Sequence, residues 1–163
     1  MRHLVSAIVL SLIPQAPALA HPHIFVGVEV TVVYDGETPT AVRLNWIYDD
    51  YFSLLITSDL GIDLDGDMIL TADEQATLAA AVTAWPADFD GDLEVTQGDT
   101  AIPLAPKLDH TMVLKDGIVH EIHARPLAPS DPDAPLTIRV YDPFYYVAYQ
   151  LAGAVTIEGR DDC

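Results

Sequence analysis

The chain has 163 residues, half of them hydrophobic, with 7 Lys+Arg against 25 Asp+Glu for a formal charge of −18. That length suits one domain with a core of its own, and that charge repels nucleic acid and anionic membranes while attracting cations or basic partners. Cys163 is the single cysteine, so no internal disulfide is available and the fold must be stable without one.

The opening "MRHLVSAIVLSLIPQAPALA" carries Arg2, an apolar run from Leu4 to Ile13, and the small-x-small triplet Ala18, Leu19, Ala20. These features predict a signal peptide over 1–20 with cleavage after Ala20; the alternative is a buried N-terminal helix. The run is too short to span a bilayer, and no later stretch approaches the ~20 apolar residues needed. The expected product is a single periplasmic domain over 21–163, with no stable membrane insertion and with a free α-amine on His21.

From Pro22 to Val33 the sequence alternates, with Ile24, Val26, Val28, Val30 and Val32 on one face and His21, His23, Phe25, Gly27, Glu29 and Thr31 on the other. That is the period of a half-buried strand. "YDGETPT" is a turn, and "AVRLNWIY" returns as a second strand with Val42, Leu44 and Trp46 inward. Phe52, Leu55 and Ile56 favour a short helix in "DDYFSLLITSDL", and "TADEQATLAAAVTAW" is a clearer one. Thr71 caps it, Asp73 and Glu74 suit its first turn, and Pro86 stops it. Strand-like segments come next: "LEVTQGDTAIPL" as a hairpin, then "KLDHTMVL", "GIVHEIHARPL", "LTIRVYD" and "AVTIEG", with "YDPFYYVAYQL" open between strand and helix. The expected fold is α+β: an antiparallel, sandwich-like sheet with a small helical insertion, about 50–86, after the second strand.

Two constellations could hold a metal. His21 and His23 project to one face of a strand, roughly 7 Å apart, and cleavage would add the α-amine of His21. Pro22 lacks an N–H, which blocks the amide-wrapped copper/nickel mode and leaves an amine-plus-imidazoles set suited to Cu(II), Ni(II), Co(II) or Zn(II). Asp49, or one of the later histidines His110, His120 and His123, would complete it. "HEIH" would chelate on a helix, but on a strand His120 and His123 face opposite ways. His120 then reads as core beside Ile118 and Ile122, with His123 and His110 exposed. The other reading of all these histidines is strand residues without a ligand.

The second constellation is "DLDGDMILTADE", which sets Asp63, Asp65 and Asp67 at positions 1, 3 and 5 of a calcium loop. Ile69 would offer a carbonyl at 7, Thr71 position 9 and Glu74 the bidentate ligand at 12. Met68 stands where such loops take glycine, so the loop must be strained or reshaped, and a solvated acidic turn is the alternative. The echo "DFDGDLEVTQGD" ends in Asp99 and reads as a turn entering a strand. GxSxG, HExxH, Gly-rich phosphate loops and CxxC do not occur, and the chain does not read as an enzyme.

"HPHIFV", "RLNWIYDDYFS", "DLDGD…LTADE" and "VYDPFYYVAYQL", in that order, resemble an uncharacterised family of bacterial periplasmic proteins. These are described as the periplasmic component of an unassigned ABC-type transport system, often accompanying nickel/cobalt-type permeases. The matching positions are His21, Pro22, His23, Trp46, Asp49, Ser53, Glu74, Tyr141, Asp142 and Pro143. The resemblance implies an accessory protein for transition-metal transport, with a membrane metal permease or transporter as partner. The expected metal ligands are His21 and His23, joined by Asp49 or by His120 or His123. The rival expectations are a calcium-stabilised structural or interaction module, and a copper oxidase or oxygenase with an N-terminal histidine clamp.

Overall fold

The computed structural model describes residues 23–81, 86, 89–129 and 134–160. Strand β1 (Ile24–Asp35) and β2 (Thr38–Tyr48) form the expected antiparallel hairpin, followed by helices α1 (Asp50–Leu60) and α2 (Ala72–Ala80). The remaining strands are β3 (Leu93–Gln97), β4 (Thr100–Ala101), β5 (Leu108–Lys115), β6 (Ile118–Pro126), β7 (Leu136–Val140), β8 (Val147–Leu151) and β9 (Thr156–Glu158). The fold is α+β, with the helices inserted after the second strand.

The larger sheet runs β5-β6-β2-β1-β8, with β9 continuing the β8 side of β1; the smaller sheet runs β4-β3-β7. The expectation of an antiparallel sheet needs one correction, because β8 and β9 run parallel to β1. The tail reaches that edge only after crossing to the smaller sheet in β7, so it returns in the direction of β1. Val26, Val28, Val30, Val42, Leu44 and Trp46 meet Leu93, Val95 and Ile102 between the two sheets. The even positions of β1 and β2 thus face inward because period-2 alternation leaves one apolar side to bury. A second cluster of Ile62, Leu78 and Val119, flanked by Tyr48, Ile56, Met112 and Leu114, seats the helices on the β5–β6 end of the same face.

Local chemistry sets the helix ends. Asp49 caps α1 by accepting from the Phe52 N–H, and Gly61 closes it in the left-handed region at φ +65°. The buried face of α1 is polar rather than the expected Phe52/Leu55/Ile56 stripe. Ser53 and Thr57 are buried, Ser53 Oγ accepts from the Val119 N–H at 3.0 Å, and Leu55 is exposed. α2 begins with a complete capping box of Thr71 and Glu74. Gln75 of α2 donates to the Met112 carbonyl at 3.1 Å and accepts from the Leu114 N–H at 3.1 Å. Those are backbone groups of β5, the edge strand, and covering them removes a site for strand-to-strand aggregation.

Candidate functional site

Strand β6 has the burial pattern that most departs from its sequence. Val119, Glu121, His123 and Arg125 are buried, whereas Ile118, His120, Ile122 and Ala124 are only partly so. The expectation that His120 is core and that His123 and His110 are exposed is therefore reversed. Register supplies the reason: Leu44 pairs with His123 and Trp46 with Glu121, so these β6 positions share the inward face of β2. Ile118 and Ile122 pull the other way, but one strand cannot bury both faces when only one has a cover.

The inward row carries chemistry. His110, Glu121 and His123 each offer one ligand atom, all within 4.8 Å of one another. Glu121 is 4% exposed and His123 0%. His110 Nε2 contacts Glu121 Oε1, and the Tyr48 hydroxyl donates to Glu121 Oε2 at 2.6 Å. Trp46 packs edge-on against the His123 ring at 4.9 Å, and the His110 and His123 rings lie 5.7 Å apart. His110 reaches this position through a bulge. Pairing jumps from Leu108↔Ala124 to Thr111↔Ile122, and Asp109 takes φ +51°. The extra residue in β5 re-aims the side chain after it.

Burial decides the protonation of this cluster. It pushes the His123 imidazole down to about 3, and the neighbouring His110, Arg125 and Lys107 push the same way. His110 is also lowered by burial, against the pull of Glu121. Burial and the Glu121 carboxylate hold the Tyr48 hydroxyl protonated. Neutral imidazoles keep a ring-nitrogen lone pair for a metal, and two imidazoles with one carboxylate form an N2O donor set. Around a tetrahedral ion with bonds of about 2.1 Å, ligand atoms sit about 3.4 Å apart, a spacing reachable by side-chain adjustment from the present one. A hydroxyl that orients the carboxylate is the outer contact such sites use.

Among the described residues, neither His23 nor Asp49 joins this cluster. His21 lies outside the described residues. His23 is exposed, its ring 4.9 Å from that of Tyr146 and its N–H donating to the Tyr146 carbonyl at 2.8 Å. Asp49 serves the backbone, accepting from Phe52 N at 2.7 Å and Phe25 N at 3.0 Å. His120 faces outward, in a row where Asn45 meets its Nδ1 at 3.1 Å and donates to Glu29 at 2.8 Å. Gly27, Ile47 and His120 lie side by side. His23 is therefore about 13 Å further along and two strand spacings of about 4.8 Å away. His123 is on the opposite face. His120 and His123 thus lie on opposite faces of β6, His23 and Asp49 both lie at the start of β1, and Glu121 and His110 stand beside His123. Glu121 and His123 at i and i+2 of a strand were the available signal.

In the acidic loop, Asp63, Asp65 and Asp67 converge to within 4.8 Å, again counting one ligand oxygen each. Met68 does adopt the left-handed conformation reserved for glycine, at φ +57°. Thr71 and Glu74 are drawn into the helix cap, with Glu74 Oε2 accepting from the Thr71 N–H at 2.9 Å and Oε1 from the Asp63 N–H at 3.0 Å. Ile69 is exposed, with its N–H bonded to Asp67 Oδ1 at 2.8 Å. The echo enters β3 as expected.

The other motif positions are joints of the fold. Trp46 is core, and Asp142 accepts from the N–H groups of Phe144, Tyr146 and Val147 to shape the turn into β8. No curated protein matches the sequence. A family profile described as "Protein of unknown function (DUF1007)" matches residues 6–163, and with nearly its whole length covered the chain belongs to that family.

Proposed function

We propose that this protein is a periplasmic accessory of a membrane metal transporter, holding a divalent transition ion at His110, Glu121 and His123. The ion would be Ni, Co, Zn or Cu. The observation that carries the reading is the convergence of two neutral imidazoles and a carboxylate on the buried side of β5 and β6. The donor set suits borderline ions rather than calcium or magnesium. His110 sits on a bulged edge strand, so the route in or out of the site is displacement of β5 and not dissection of the core. A formal charge of −18 favours capture of cations and approach to a basic face of a permease. Periplasmic placement rests on the sequence of residues 1–20, and the transport role on the resemblance of the four ordered motifs.

Calorimetric titration of metal-stripped protein with Ni(II), Co(II), Zn(II) and Cu(II) tests the site. His123→Asn and Glu121→Gln should each weaken binding by at least about 100-fold, more than the 10–100-fold typical of outer contacts. His23→Ala should leave it unchanged. The opposite pattern, with His23→Ala abolishing binding and His123→Asn neutral, would move the site to the N-terminus.

A further inference from the structure

The second place where ligand oxygens converge, the turn between α1 and α2, is chemically unlike the first. We propose that the turn Asp63–Asp67 is a calcium site, separate from the histidine cluster, that fixes the junction of the two helices. One oxygen each from Asp63, Asp65 and Asp67 lies within 4.8 Å of the others. Carboxylates alone can gather on a surface, and the independent sign of a cation is Asp63. It is 8% exposed; its Oδ1 accepts the Met68 N–H at 3.0 Å, but its Oδ2 is buried with no hydrogen-bond donor. One backbone donor does not replace the water a carboxylate gives up on burial, and a cation on the second oxygen would make up that loss. Among the described residues no salt bridge reaches any of the three aspartates.

Donor type and the irregularity of the turn select the ion. Calcium accepts carboxylate and water oxygens in a flexible shell, whereas magnesium demands near-ideal octahedral geometry and gives up its waters reluctantly. All-oxygen donors exclude the ions suited to imidazole. Asp65 and Asp67 are exposed, which leaves room for water to complete the shell. Glu74 stays in the capping box, bonded to Thr71 and to the Asp63 N–H. The site therefore lacks the bidentate ligand that gives tight loops their affinity. It falls in the range of extracellular modules, with Kd of about 10⁻⁴–10⁻³ M.

The position gives the ion a mechanical role. Ile62, next to Asp63, is buried with Leu78 of α2 and Val119 of β6. A cation on Asp63 holds that anchor while Met68 keeps its positive φ. Binding to the folded state alone raises stability by mass action.

The test uses purified protein, thermal denaturation and amide hydrogen exchange, with calcium chloride or magnesium chloride as the only added divalent salt. Ten millimolar calcium should raise the melting temperature by about 3–8 °C and slow exchange over residues 62–70, with magnesium doing less. The double variant Asp65→Asn/Asp67→Asn, altered only at exposed positions, should lose the shift and the protection. His123→Asn should retain both, which separates this site from the transition-metal site. No shift in the wild-type protein, or an equal shift in the double variant, would overturn the proposal.

Discussion

The two faces of β6 present a controlled comparison, since His120 and His123 share a four-residue stretch and live in different media. His120 is partly exposed and joins the surface row Glu29–Asn45–His120. His123 is enclosed by Trp46, His110 and Glu121, where burial strips its proton. A histidine's chemistry is therefore set by which face its strand buries, and one residue of register exchanges the two roles.

Changing the inner row should cost most. His110→Ala takes the imidazole away from the buried Glu121 carboxylate, while the Tyr48 hydroxyl still donates to its other oxygen. Removing a hydrogen-bond donor from a buried carboxylate is expected to destabilise metal-free protein by about 3 kcal/mol. Urea denaturation in the presence of a chelator measures this, and a loss below about 1 kcal/mol would mean that Glu121 is not dependent on His110. Tyr48→Phe removes one hydrogen bond to a charged acceptor and should cost about 2 kcal/mol in the same assay, without a change in core volume.

Acid sharpens the contrast between the faces. The folded His123 value of about 3 lies below the unfolded value of about 6.5. Between them the unfolded chain binds the extra proton, so the stability is complete above about pH 6.5 and declines as pH falls toward 3. The contribution of this one proton is about 1.4 kcal/mol per pH unit. Denaturation midpoints of metal-free protein from pH 7 to pH 5 should flatten by that slope in His123→Asn; parallel profiles would show that His123 is not the group. The smallest effect belongs to the outer face. His120→Ala removes one part-exposed hydrogen bond, should cost about 0.5–1 kcal/mol, and should leave transition-metal affinity as it was.

The acidic loops make the same point about legibility. "DLDGD" and "DFDGD" differ at one letter, yet their described aspartates take different partners, and the first loop gathers three carboxylates. In the second, Asp92 accepts the Tyr149 hydroxyl at 2.7 Å and the Asp90 carbonyl accepts from Arg125 at 2.8 Å. The element C-terminal to each loop makes the difference: a capped helix returns Glu74 to the Asp63 N–H, while β3 carries the second loop away into a sheet. Strand alternation in β1 and β2, the Thr71 cap and the Met68 conflict were readable because each is a local property of a few neighbouring residues. The parallel docking of β8 and β9 was not, since it depends on the route of a tail more than a hundred residues from its partner.

By itself the sequence determined the periodicities, the helix caps, the acidic charge and the residue types able to bind cations. Tertiary structure alone decided which face of β6 is inside, and hence that His110, Glu121 and His123 meet while His120 faces away from them. The physical reason is that alternation defines two faces of a strand but not which one gains a cover. That choice is made by the β2 register, the second sheet and the helices packed against it.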